Sequence, residues 1–321
     1  MMAVMIMVNK DNYWEQRTQD IMKQLDKQDP ELTNEVLAEY KAAYDDIQGK
    51  IYDFYDKYAK DKHISYADAM KRVRSTDLDD YVKRANQYRK EHKKNPELLR
   101  RINAQYVTSQ INRLELLKLE IEFRMIQASN EQDVAFGTYL AKESAYVYGA
   151  LQAGEAIQTL NNREIENILQ MEWSGANYSE RIWRNNDLLA NKLKDEMVKA
   201  AINGNNPRVT ARSLRNVFGG TRFNTERLVR IESTYVANAT TAKRYEEMGV
   251  EEYEFTAVMD KRTTTVCREM NGETFKLKDF QPGTNAPAMH PNCRSTIVPS
   301  TKDLTKYNKY LDPDMIDDLV E

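Results

Sequence analysis

The sequence predicts an α+β protein, with a mostly helical N-terminal half followed by a compact C-terminal α+β domain that holds a small sheet and a Cys/His/Pro-rich loop. Three observations predict it. The first 136 residues contain one glycine, Gly49, and two prolines, Pro30 and Pro96, a scarcity of breakers that suits long helices. Tyr253, Phe255, Ala257 and Met259 recur at a period of two, the spacing of a half-buried strand. Both cysteines, one of the three histidines and five of the eight prolines fall between positions 260 and 313, where fixed φ angles and turns shape a loop.

At 321 residues and 41% hydrophobic the chain can bury a sizeable core and has room for two domains. The mean hydropathy of -0.76 is that of a soluble protein. Two cysteines exclude a disulfide scaffold, and a net charge of -3 offers no global basic field for nucleic acid. The expected division is 1–158 as a helical arm or bundle, 159–300 as the α+β domain and 301–321 as an acidic tail. The opening MMAVMIMV is too short for a signal peptide and lacks a basic region before it. It reads as a packed arm or as an upstream start ahead of Met7.

In the N-terminal half the spacing predicts helices over 11–27, 31–60, 66–74, 77–94, 96–128 and 131–153. Asp29-Pro30-Glu31 and Asn95-Pro96-Glu97 each offer an N-cap side chain, a proline at the first helical position and an acid facing the helix dipole. Ser65 with Asp68, and Thr76 with Asp79, have the spacing of further caps. Ile111, Leu114, Leu117, Ile121 and Met125 form one apolar stripe, and Leu116, Leu119, Phe123 and Ile126 a second beside it. So wide a face suits a bundle core, and its length also suits lateral packing against a partner's helices. Charge is segregated: residues 11–56 carry a net -7, whereas 83–101 carry +6 through residues that include Lys83, Arg84, Lys93 and Lys94. That run reads either as a solvated helix face or as a docking patch for phosphates or an acidic partner.

The boundary is expected near 154–162, at Gly154 and Asn161-Asn162. Helices over 163–172 and 179–203 follow, with Gly204 as the C-terminal cap, and Trp173 and Trp183 flank Gly175 as aromatic plugs. Residues 207–230 hold six arginines, among them Arg208, Arg212 and Arg215, against Glu226 alone. Arginine's planar fork suits phosphate and carboxylate, although arginines on a helix face commonly just meet solvent. A helix over 224–248 has Leu228, Ile231, Tyr235, Ala239 and Ala242 as its apolar side, leaving Glu232 and Asn238 as polar positions on a packed helix. The strand at 253–259 delivers Asp260 and Arg262 to its end, and 274–277 and 295–298 are further strands.

Cys267, His290 and Cys293 lie within 27 residues and are candidate zinc ligands, with Asp260 or a water as the fourth. The same residues support a packing role for small buried groups, or a nucleophile (Cys267), base (His290) and orienter (Asp260). The order Asp260-Lys-Arg262-Thr263, Cys267, Asn271-Gly272 and His290-Pro291-Asn292-Cys293-Arg294 resembles the signature of the phage Mu protein F-like minor head proteins. The resemblance extends upstream through Trp173-Ser-Gly175-Ala-Asn-Tyr-Ser179-Glu-Arg181-Ile-Trp183, Gly204, Arg230-Ile-Glu232, Asn238 and Tyr245, covering about residues 160 to 300. Many relatives end the motif Cys-Arg-Cys, whereas Ser295 stands here, so one ligand is absent from the pattern. The resemblance implies a low-copy virion component of a tailed phage. It would join the portal protein at the portal vertex inside the head, after assembly in the host cytoplasm, and aid head assembly and genome packaging or DNA ejection, with scaffold, major capsid protein or packaged DNA as further partners and no membrane in the mature head. It implies no catalytic residue: Asp260, Arg262, Thr263, Cys267, Gly272, His290, Pro291, Cys293 and Arg294 would be structural, and the N-terminal half would carry attachment. The rival classes are a metal-dependent nuclease, for which one local histidine is a thin ligand set, and a non-specific DNA-binding protein.

Overall fold

The computed structural model describes residues 10–105, 110–151 and 159–300. The methionine-rich opening, Gly154 and the acidic tail lie outside the described residues. In chain order the elements are α1 (Lys10–Tyr58), α2 (Tyr66–Ala69), α3 (Ser75–Glu91), α4 (Pro96–Ala104), α5 (Arg113–Ala150), α6 (Asn162–Gln170), α7 (Tyr178–Ile202), α8 (Pro207–Phe218), α9 (Thr221–Met248), β1 (Glu252–Thr256), α10 (Thr265–Met270), β2 (Thr274–Lys276) and β3 (Thr296–Pro299). A helical chain with a small sheet near its C-terminal end is the α+β class expected.

Several ends are set by local chemistry. Ser65, Asn95, Asn161 and Asn206 each cap a helix by accepting the backbone N–H three residues on, and Pro96 and Pro207 occupy first-turn positions where no N–H is required. Gly204 follows α7 at φ 62°, a left-handed conformation that closes the helix. Other expectations are corrected. Pro30 starts no helix; α1 runs through it for 49 residues, and Asp29 is a buried acid instead of a cap. The lost hydrogen bond is offset by burial on both sides of Pro30, where Ile21, Leu25, Leu32 and Val36 are core residues. α2 is four residues long instead of nine, and α3 starts at Ser75 with Arg74 before it, so Thr76 is not its cap. The single helix expected over 96–128 is two, and nothing interrupts α5 near 131.

The chain divides into two compact units that interleave in sequence: residues 1–33, 136–178 and 226–321 form the first, and 34–135 with 179–225 the second. A contiguous division at 158 does not coincide with them. In the first unit, Trp14, Ile21 and Leu25 of α1 share one core cluster with Val147, Tyr245, Met248, Tyr253 and Ile297. Its sheet is antiparallel in the order β2-β1-β3, with Tyr253 opposite Phe275 and Pro299, and Phe255 opposite Ile297. The middle of α9 is buried nearly all round, polar positions included, which places Leu228, Ile231 and Ala239 at half-buried positions instead of on a core side.

In the second unit the two apolar stripes of α5 serve two cores. Leu114, Leu117, Ile121 and Met125 pack with Ile47, Ile51, Leu193 and Leu214; Leu116, Phe123 and Ile126, with Ile111 just ahead of the helix, pack with Tyr81, Leu98 and Trp183. Both stripes are consumed by the chain's own core, so neither is free for a partner's helices.

Candidate functional site

The site is built where β1 ends, on α10 and on the loop that leads into β3. Ala257 and the exposed pair Val258 and Met259 carry the chain out of the sheet to Asp260. Asp260 closes a turn: its backbone N–H donates to Thr263 Oγ1 at 2.8 Å, and its Oδ1 accepts the Arg262 N–H at 2.7 Å. Thr264 then caps α10 by accepting the N–H of Cys267 at 3.4 Å, which orients the buried thiol inward. After α10, Gly272 at φ 85° makes the reversal that returns its N–H to Phe255 O at 2.8 Å, while Asn271 Oδ1 accepts the Ala257 N–H.

Asp260 is not among the side chains that converge with the cysteines. Arg294 grips it with two hydrogen bonds, Nη2 to Oδ1 at 2.7 Å and Nη1 to Oδ2 at 2.8 Å, and Arg262 Nε lies 3.7 Å from Oδ2. The Arg294 guanidinium holds the Asp260 carboxyl far below the usual carboxylate range, with the Arg262 N–H adding to the effect. Asp260 is therefore neither the fourth zinc ligand nor the orienter of His290. That histidine's Nδ1 donates to the Pro291 carbonyl at 2.9 Å, which directs the Nε2 lone pair toward Cys267.

Cys267, His290 and Cys293 do converge. Cys267 Sγ is 3.1 Å from His290 Nε2 and 3.8 Å from Cys293 Sγ, and the three ligand atoms lie within 4.8 Å of one another. Both cysteines are buried and free, and the histidine is half-buried. The hydrogen bond to Cys293, together with burial, pushes the Cys267 thiol up, while the same bond and backbone N–H groups nearby hold Cys293 below the ordinary thiol range. His290 sits on a turn in which Cys293 N–H returns to His290 O and Asn292 takes a left-handed φ of 64°.

Sequence reasoning did not assign the supporting shell. Thr234 of α9 donates its hydroxyl to Cys293 O at 2.8 Å, and Asn238 one turn on donates to Thr234 O and Ser295 O. Trp173 Nε1 donates to the buried Glu232 at 3.0 Å, with its ring stacked 4.9 Å from that of Tyr235. Asn285 ties the proline-rich loop to the sheet through Tyr253 Oη at 3.0 Å. The available signal was the set of polar side chains Glu232, Ser233, Thr234 and Asn238 inside an otherwise packed helix.

The basic candidates lie in the second unit and do not join this constellation. On α8, Arg208, Arg212 and Arg215 are exposed on one face, beside the buried stripe of Ala211, Leu214 and Phe218. Lys83, Lys93 and Lys94 are exposed as well, but Arg84 is engaged by Glu120 and by Asp80.

Residues 191–298 match the family described as Phage Mu protein F like protein. The match spans α10 and all the motif residues from Asp260 to Arg294; the Trp173–Trp183 stretch precedes it. Neither a curated protein nor a solved structure matches the chain at a significant level.

Proposed function

We propose that this chain, whose residues 191–298 form a Mu protein F-like domain, is a minor head protein of a tailed phage that acts in head assembly at the portal vertex, inside the head. The observation that carries this reading is how the motif is used. Asp260 and Arg294 hold each other, Gly272 makes a reversal, and the backbone beside Cys293 is held by Thr234 and Asn238, so the motif residues build the domain and leave no set of acids and bases converging on an open cleft. Among the described residues, one group of three metal-capable side chains exists, and it is sulfur-rich and largely buried. A nuclease centre calls for oxygen and nitrogen ligands with a general base at hand, which favours a non-enzymatic role.

Partner contact falls to exposed surface, because the stripes of α5 are buried. The α8 face at Arg208, Arg212 and Arg215 is the best candidate for packaged DNA, with an acidic surface of the portal, scaffold or major capsid protein as the other occupant. The test uses the full chain. Glutamate at all three positions should abolish retention of duplex DNA, and wild-type binding should fall with salt at a log–log slope of about -2.7 for three neutralised phosphates. Wild-type binding to DNA with no loss in the variant excludes this face. Pull-down with the cognate portal, lost in the same variant while no DNA is retained by either chain, assigns the face to protein.

A further inference from the structure

We propose that Cys267, His290 and Cys293 bind one zinc ion, completed by an exchangeable oxygen ligand beside Ser295, and that the ion fastens α10 to the segment leading into β3. The geometry is that of a site drawn slightly inward. Two thiolates at about 2.3 Å from a tetrahedral zinc lie about 3.8 Å apart, and a thiolate and an imidazole nitrogen about 3.5 Å apart. The observed separations are 3.8 Å between the sulfurs and 3.1 Å from Cys267 Sγ to His290 Nε2. Two free thiols and an imidazole nitrogen in a partly buried pocket make a donor set that suits zinc above harder cations.

The surroundings act as outer support. The Pro291 carbonyl accepts a hydrogen bond from His290 Nδ1–H, which leaves the Nε2 lone pair free to bind a metal, the arrangement that typically accompanies histidine ligation. Thr264 and Thr234 fix the backbones that carry the two cysteines. Ser295, 2% exposed, lies next to the site, and its hydroxyl interacts with both sulfurs. A serine is a poor ligand by itself, but a cysteine at that position would close the tetrahedron. The ion would bridge two segments 26 residues apart that share no strand pairing, and it would leave Asp260 and Arg294 to their own ion pair.

The test uses full-length protein expressed with added zinc and purified without chelator. About one equivalent of zinc per chain is expected, with replacement by cobalt giving the intense absorption of tetrahedral thiolate coordination. Cys293→Ser should lose the metal. Where that variant does not fold, His290→Ala, at a half-exposed position, should stay folded by circular dichroism and hold metal more weakly. Ser295→Cys should slow removal of zinc by a chelator by at least tenfold. A chain that takes up neither zinc nor cobalt overturns the proposal, as does full retention of metal in Cys267→Ser and Cys293→Ser, or a Cys267–Cys293 disulfide in freshly purified protein. None of these outcomes bears on the head-assembly reading, which stands or falls on portal and DNA binding.

Discussion

Glu143 lies on α5 within the first unit at 3% exposure, and neither of its carboxylate oxygens has a hydrogen-bond partner. Burial drives its pKa well above the ordinary 4.5, and the nearby Asp29 carboxyl, which takes the Ser233 hydroxyl for itself, pushes it the same way. An acid whose folded pKa is raised binds its proton more tightly in the native state. Folding is therefore favoured below the unfolded value and loses stability as pH rises toward the folded one. Each unit of pH over which the native state keeps a proton that the unfolded chain has lost costs about 1.4 kcal/mol, so wild type should lose stability through this group as pH rises above 4.5. Glu143→Gln removes that titration. A constant offset from the new amide does not matter, because the readout is the change with pH in the difference between the two proteins. Urea denaturation in a Trp183→Phe background, where Trp14 and Trp173 report on the first unit, should show the variant gaining steadily on wild type as pH rises above 4.5. A difference that stays flat across the range would mean that Glu143 is ionised and solvated in the native state.

A fragment of residues 160–321 should fail to fold alone, because the first-unit core takes Trp14, Ile21 and Leu25 from α1 and Val147 and Leu151 from the end of α5 and just beyond it; a cooperative thermal transition with native-like proteolytic resistance would count against this. Trp173→Phe keeps the stacking on Tyr235 but removes the hydrogen bond to buried Glu232, and should cost about 1–3 kcal/mol by urea denaturation. No measurable loss would show that the bond is replaced by water.

What the sequence determined by itself was local. Side-chain caps at Ser65, Asn95 and Asn161 and the glycine stop at Gly204 act over three or four residues, so their chemistry can be read where it stands. The alternation of Tyr253 and Phe255 marks a strand for the same reason, and the clustering of Cys267, His290 and Cys293 within 27 residues brought the three ligands together on short chain lengths. The order of the motif residues also sufficed to indicate the family over 191–298. Tertiary structure decided whatever depended on a choice among distant partners. Asp260 could face His290 or an arginine; the direction in which the loop returns gives it to Arg294, 34 residues away. Asp29 carries the signature of a cap, yet it is drawn into the core by Tyr139 and Ser233, 110 and 204 residues off, and Pro30 stays inside a helix held by the burial around it. The stripes of α5 looked the same whether they were to meet a partner or the chain's own helices. Apolar surface has no address of its own, and here α1, α3, α4, α7 and α8 cover it within the second unit, through contacts that no window of sequence contains.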